Sequence, residues 1–195
     1  MWDNKYDGED YLYGTEPNDF LREQMHRLKK GRVLCLAEGE GRNAVHLARA
    51  GFEVTAVDSS AVGLAKAARL AAQHGVVIEL LRTDLADYTV APGSWEAIVS
   101  IFCHLPADLR RRVHRDVVAG LCAGGTLLLE AYTPRQLDFG TGGPPSAEFM
   151  MELGTLEEEL AGLNFLHGAE LVREVVEGTG HTGTGAVVQV LAEKR

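Results

Sequence analysis

The sequence predicts an α/β fold: a doubly wound, mostly parallel sheet of seven strands whose last strand is antiparallel. Three observations carry this expectation. Short runs rich in Val, Ile and Leu alternate with helical periodicity from residue 31 to residue 132, the pattern of a parallel sheet with right-handed crossovers. These runs barely alternate in polarity: Val-Leu-Cys-Leu-Ala at 33–37 and Ala-Ile-Val-Ser-Ile-Phe at 97–102 suit strands covered on both faces. The last two apolar runs are joined by GTGHTGTG, residues 178–185, too short for a crossover helix, so they pair antiparallel.

Taken in chain order, the strands are expected at Gly31–Ala37, Phe52–Val57, Val76–Leu81, Trp95–Phe102, Thr126–Tyr132, Glu170–Glu177 and Ala186–Ala192. Helices are expected at Asn43–Ala50, Ala61–His74 and Pro106–Leu121. Each has a stop signal: Gly51 after the first, Gly75 after the second, Gly124-Gly125 after the third. Ser59 or Ser60 caps the second helix. The stretch TPRQLDFGTGGPPS, residues 133–146, is too rich in Gly, Pro and polar residues for a helix or a central strand. Two short helical patterns follow it, with Thr155-Leu-Glu-Glu158 as a capping box. His181 falls in the glycine-rich loop between the last two strands.

The bulk properties bound the function. A chain of 195 residues fits one core better than two. The net charge of −9 repels a polyanion, so no nucleic-acid partner is expected; the basic cluster at 110–115 reads as a solvated helix face. The three cysteines, Cys35, Cys103 and Cys122, match no zinc spacing, so no metal is expected. Two of them lie in apolar runs as small buried hydrophobes, which fits a reducing cytoplasm. The N-terminus, MWDNKYDGEDY, is polar and acidic, unlike a signal peptide. No apolar run reaches the length of a membrane span, so no membrane partner is expected.

The chemistry is concentrated in VLCLAEGEGRNAVHLARAGFEVTAVDSS, residues 33–60. A strand, a glycine turn, a helix and a second strand ending in Asp58 place a ligand at the carboxyl ends of the strands. Gly39 and Gly41 let the backbone bend and a ligand come close. Asp58 is placed to hydrogen-bond a ribose diol. A diphosphate is the usual guest of such a turn, yet Glu38 and Glu40 flank Gly39 and would repel it. No Lys follows, so the turn is not a P-loop. Glycines and negative charge together suit a ligand with a ribose and a positive charge but no phosphate, such as S-adenosylmethionine (SAM). Asp84, closing the third strand, can meet an adenine amino group or simply end a turn. Arg42 either reaches a carboxylate, that of the cofactor included, or pairs with Glu40. Asn43 caps the first helix.

With these residues the chain resembles a class I SAM-dependent methyltransferase, close to the TehB-like branch (tellurite resistance, thiopurine methyltransferase-like). VLCLAEGEGRNAVHLA is similar to the family's first motif, VTAVDSS to the second, RTDL to the adenine motif, and LCAGGTLLLEAYTP to the segment entering the fifth strand. The likeness is strong over Gly31 to Tyr132. It implies a Rossmann-like domain over residues 1–195, with residues 1–30 as a leader over the cofactor and 133–160 as a substrate lid. It implies cofactor contacts from Ala37, Glu38, Gly39, Gly41, Arg42, Asn43, Asp58, Ser59, Asp84, Leu85 and Ile101. Where the family carries an acid within the first strand this chain has Cys35. Glu38, Glu40 or the backbone carbonyls of Ala37 and Ile101 are left to hold the methionine ammonium.

Methyl transfer from a sulfonium needs mainly positioning and exclusion of water. A soft sulfur, selenium or tellurium acceptor needs no strong base; an oxygen or amine acceptor must be deprotonated. His104, Tyr132, Thr133 and, if the sixth strand runs parallel, His181 follow strand carboxyl ends on the ligand face; His104, Tyr132 and His181 are the catalytic candidates, with Tyr11 from the leader, and Tyr13 and Trp2 can pack over the cofactor. The expected partner is a small molecule, and the chain acts as a monomer or homodimer. Two other readings differ in testable ways. An NAD(P)-dependent oxidoreductase needs a pyrophosphate site, which Glu38 and Glu40 oppose. An idle SAM-binding module binds cofactor without turnover.

Overall fold

The computed structural model describes residues 2–195, so Met1 of the expected leader lies outside it. The strands are β1 (Arg32–Leu36), β2 (Glu53–Asp58), β3 (Glu79–Arg82), β4 (Trp95–Ile101), β5 (Leu121–Tyr132), β6 (Leu163–Glu177) and β7 (His181–Lys194). They form one sheet in the order β3-β2-β1-β4-β5-β7-β6. Neighbours from β3 to β5 are parallel. β7 runs antiparallel to both β5 and β6. The predicted doubly wound sheet with a reversed last strand is the observed one.

The helices are α1 (Trp2–Lys5), α2 (Asp19–Gln24), α3 (Arg42–Arg49), α4 (Ala61–Gln73), α5 (Ala107–Gly120) and α6 (Leu153–Glu159). Among the described residues none is long and apolar enough to cross a membrane. The central strands are buried on both faces, which is why β1 and β4 read as unbroken apolar runs. On one face Val113 and Val117 of α5 and Leu156 of α6 pack on Leu34, Ile98 and Leu127. On the other, Phe20 and Leu21 of α2 and Leu47 of α3 pack on Val33, Cys35 and Val99. Ser60 caps α4, its hydroxyl accepting from Gly63 N–H at 3.0 Å.

Several boundaries differ from expectation. α5 stops at Gly120, not Leu121, because Leu121 already pairs with Trp95; a Cβ on Gly120 would lie 2.3 Å from Val90. Gly124-Gly125 is therefore inside β5, where Gly124 takes a φ of 68° and the register with β4 shifts, the behaviour of a bulge. β3 begins only at Glu79. The β6–β7 hairpin is far longer than its apolar runs: it takes in residues 163–169 and the Gly- and Thr-rich residues 181–185, and β6 leaves Leu166, Val172 and Val176 exposed. His181 is consequently the first residue of β7, directly across from Glu177. The Gly- and Pro-rich stretch holds a 3-10 turn at Pro134–Asp138. The capping box does not form: α6 starts at Leu153, so Thr155 lies inside it, and the Leu153 N–H donates instead to Glu170 of β6 at 2.7 Å.

The basic cluster is not a solvated face throughout. Arg110 and His114 are buried on α5 and share the Glu159 carboxylate of α6, at 2.9 and 2.6 Å. Arg110 also donates to the Met150 carbonyl.

Candidate functional site

Strand order reverses between β1 and β4, the place where an open parallel sheet leaves a crevice. A cavity of about 480 Å³ opens there. Its floor is the carboxyl ends of β1, β2 and β4; its walls are the leader and residues 142–149.

The glycine turn is built around Asp58. Its two oxygens accept from Gly39 N–H and Ser60 N–H, each at 2.8 Å, which fixes the carboxylate at the end of β2 with one side facing the cavity. Burial raises its pKa, against those two hydrogen bonds. Glu38 accepts from Ala44 N–H in the first turn of α3 at 2.7 Å. Burial pushes its carboxyl up to about 7. Ala37 before it has a φ of 49°, a strained left-handed conformation of the kind that collects at functional sites. Phe102, at the end of β4, has the same strain at 50°. Both line the cavity.

Of the expected cofactor residues, Ala37, Glu38, Arg42, Asn43, Asp58, Ser59, Asp84, Leu85 and Ile101 all line this cavity. Gly39 and Gly41 do not. A Cβ on Gly39 would lie 2.5 Å from the Tyr6 hydroxyl, and one on Gly41 2.6 Å from Ala67 Cβ. What comes close to these glycines is the protein itself, not a ligand. Glu40 turns away into a buried pair with Lys66 at 2.7 Å and also accepts from Tyr13 N–H. Asp84 lines the cavity and also closes a turn, accepting from Ala86 N–H at 2.8 Å. Arg42 pairs with Glu177 of β6 at 2.5 Å, not with Glu40. Asn43 is not a helix cap; Gly41 holds that position, and the Asn43 amide oxygen accepts from Asn18 N–H at 2.9 Å.

The leader covers the cavity, though not with Tyr11. That hydroxyl donates to the Lys66 carbonyl at 3.1 Å, and the ring packs by Val45 and Leu70, outside the cavity. Trp2, Lys5, Tyr6 and Tyr13 line it instead. Tyr6 stacks on Trp2 at 5.6 Å and seats on Gly39 and Gly63.

The other end of the cavity is aromatic. Phe102, His104 and His181 line it, while Tyr132 packs behind them, 1% exposed and absent from the wall. Tyr132 is thus a core residue, not a catalytic one. His104 is also spent: Nδ1 donates to the Phe149 carbonyl at 3.0 Å and Nε2 accepts from Tyr132 N–H at 3.4 Å. Burial lowers its pKa to about 4, so it stays neutral and fastens the 142–149 segment. His181 keeps a free ring. Its buried Nδ1 has no hydrogen-bond partner, and its ring lies 4.4 Å from Tyr13 and 4.8 Å from Phe102.

Tyr6, Lys5 and Pro144-Pro145 also lie on the wall and were not singled out from the sequence. Phe102 and Thr83 follow β4 and β3, on the ligand face that strand topology predicts. Tyr6 and Lys5 lie in a leader without periodicity, which gives no such signal.

Residues 33–125 match the family model described as "Methyltransferase domain". These residues are a class I, SAM-dependent methyltransferase domain. A glycine/sarcosine N-methyltransferase from Halorhodospira halochloris is 29% identical over 137 residues, covering 66% of this chain and 49% of that protein. The chain thus spans about half the length of the curated relative it matches. The methyltransferase fold extends to nearly the whole chain. A solved structure described as "Conversion of a Disulfide Bond into a Thioacetal Group during Echinomycin Biosynthesis" aligns with a TM-score of 0.80 at 18% identity, covering 99% of this chain and 90% of that one. TehB from Haemophilus influenzae aligns at 0.74 with 20% identity, covering 90% and 61%. SAM is the cofactor that this methyltransferase domain implies. The donor set suits it: Glu38, Asp58 and Asp84 offer carboxylates for an ammonium, a ribose diol and an adenine amine, and the lysine at the glycine turn, Lys66, is held in a buried pair with Glu40.

Proposed function

We propose that this chain transfers the methyl group of SAM to a small-molecule acceptor. The observation that carries the reading is the Asp58 carboxylate, oriented by two backbone N–H groups and facing the cavity between Glu38 and Asp84. In this reading Asp58 accepts from the ribose hydroxyls, Asp84 and Leu85 hold the adenine, and Ile101 borders the methionine arm. Glu38 takes the ammonium in place of the acid that Cys35 lacks. Arg42 and Asn43 tie the leader and hairpin to α3 rather than touch the cofactor with a free charge. Three carboxylates oppose the pyrophosphate of a nicotinamide cofactor.

When bound, SAM supplies an activated methyl whose carbon–sulfur electron pair stays on sulfur as the acceptor's lone pair bonds to carbon. The protein's part is to hold the acceptor at the aromatic end, between Tyr13, Phe102 and His181, and to exclude water. Residues 133–160 form the lid over it, pinned at Phe149 and Met150 by His104 and Arg110. A soft sulfur, selenium or tellurium nucleophile fits such a site without a base. The working form is a monomer or homodimer in the cytoplasm, with the whole of residues 1–195 as one domain.

The reading is tested by release of S-adenosylhomocysteine from SAM with glycine, sarcosine, 2-mercaptoethanol, catechol, selenite and tellurite as acceptors. Turnover with any of them supports it. Tight SAM binding with no turnover on any supports the idle-module reading instead.

A further inference from the structure

We propose that His181 takes the proton of the acceptor's nucleophilic atom and that Glu177 holds the imidazole in place, so the acceptor is a small amine, hydroxyl or thiol rather than a proton-free soft anion. This rests on the methyltransferase reading above and deepens it. The hairpin turn Gly178–Gly180 sets Glu177 and His181 directly opposite each other across β6 and β7. His181 Nδ1 is buried, lacks any hydrogen bond, and lies 3.7 Å from Glu177 Oε2. The nitrogen facing an anion carries the ring proton, which leaves Nε2 as the base on the cavity side. His104, the other imidazole on the wall, has both nitrogens committed.

The charge around the pair is balanced. Glu177 is held by Arg42 of α3 at 2.5 Å, by Asn18 of the leader at 2.8 Å and by Arg173 of β6 at 3.5 Å. Tyr13, Tyr132 and Phe102 enclose the ring, and Lys5 and Arg42 oppose its protonation from a distance. Burial holds the His181 pKa below its ordinary value while the Glu177 carboxyl is held down at about 2. The ring is therefore neutral and able to accept a proton at neutral pH, with an anion beside it to support the imidazolium. In the step, the acceptor's X–H bond breaks and its proton passes to Nε2. The electron pair left on X forms the bond to the methyl carbon, the carbon–sulfur pair stays on sulfur, and the imidazolium later returns its proton to water.

The test uses the full chain with S-adenosylhomocysteine bound and ¹⁵N-labelled histidine. The His181 titration is followed by NMR in the native chain and in E177Q. Loss of the anion is expected to lower the His181 midpoint by about one pH unit or more; an unmoved midpoint overturns the pairing. Release of S-adenosylhomocysteine is measured in parallel with sarcosine, catechol, 2-mercaptoethanol and tellurite. H181N is expected to lose about 10²- to 10⁴-fold in rate on the proton-bearing acceptor with SAM affinity intact. The acid limb of the native pH–rate profile is expected to track the NMR midpoint. Turnover of tellurite alone, or full activity in H181N, overturns the proposal. Should E177Q fail to fold, because Arg42 and Arg173 lose their partner, H181N decides it. Absence of SAM binding in the native chain instead sinks the methyltransferase reading itself.

Discussion

In the proposed SAM site, Glu38 is the residue on which cofactor binding and protonation would meet. Its carboxyl titrates near 7, raised by burial from an ordinary 4.5. A group whose folded pKa is raised binds more protons folded than unfolded, so its contribution to stability falls as pH rises from about 4.5 to about 7. An ammonium beside it favours the charged form. SAM binding is therefore expected to release protons near pH 7 and to tighten as pH rises through it, read by calorimetry in buffers of different ionisation enthalpy. In E38Q the proton release disappears; its persistence would place the ammonium elsewhere. Asp58 makes a simpler prediction. D58A removes charge-assisted bonds to the ribose and is expected to weaken SAM binding by about 1.5–3 kcal/mol, roughly 10- to 150-fold; unchanged affinity would mean Asp58 is not the ribose ligand. Asp58 was legible in the sequence because an acid at the end of the second strand has few other reasons to be there. Tyr11 was not distinguishable from Tyr6 and Tyr13, since only the fold shows which ring faces Lys66 and which faces the cavity.

At the scale of elements, the sequence outlined the strands and helices but misplaced their ends where tertiary pairing overrode local signals. Gly124-Gly125 read as a helix stop and is a bulge; Thr155 read as a cap and lies inside α6. The β6–β7 hairpin was half seen because residues 181–185 are rich in Gly and Thr and read as a loop, and that hid the Glu177–His181 pairing. Gly41 starts α3 at a φ of 91° against Ala67 of α4. G41A is expected to cost about 1–3 kcal/mol from backbone strain alone, measured as a lower Tm with the apo chain; an unchanged Tm would mean α3 and α4 separate freely. The Glu159 carboxyl, shared by Arg110 and His114 of α5, is held down at about 2 from an ordinary 4.5. A depressed acid stabilises the fold above its unfolded pKa. The tie between α5 and α6 is thus expected to be intact above about pH 4.5 and lost as pH falls toward 2. Acid unfolding followed by circular dichroism in the native chain and E159Q checks this: the variant should be less stable at pH 7 and lose less on acidification.

At the scale of the whole molecule, one sheet with buried central strands supports a cavity wall drawn from three strand ends, the leader and residues 142–149. Its fold class and cofactor were legible because strand order, glycine turn and acids occur together in sequence. Its acceptor end was legible only in part: His104 and His181 were named and line it, but which rings meet there depends on segments far apart in the chain. In this reading the carboxylate-lined turn selects a cationic nucleoside without phosphate. Parallel calorimetric titration of the full chain with SAM, S-adenosylhomocysteine and NADH tests it most directly. Tight binding of the first two and none of NADH is expected; binding of NADH alone would contradict this and mean that Glu38 and Asp58 do not repel a pyrophosphate.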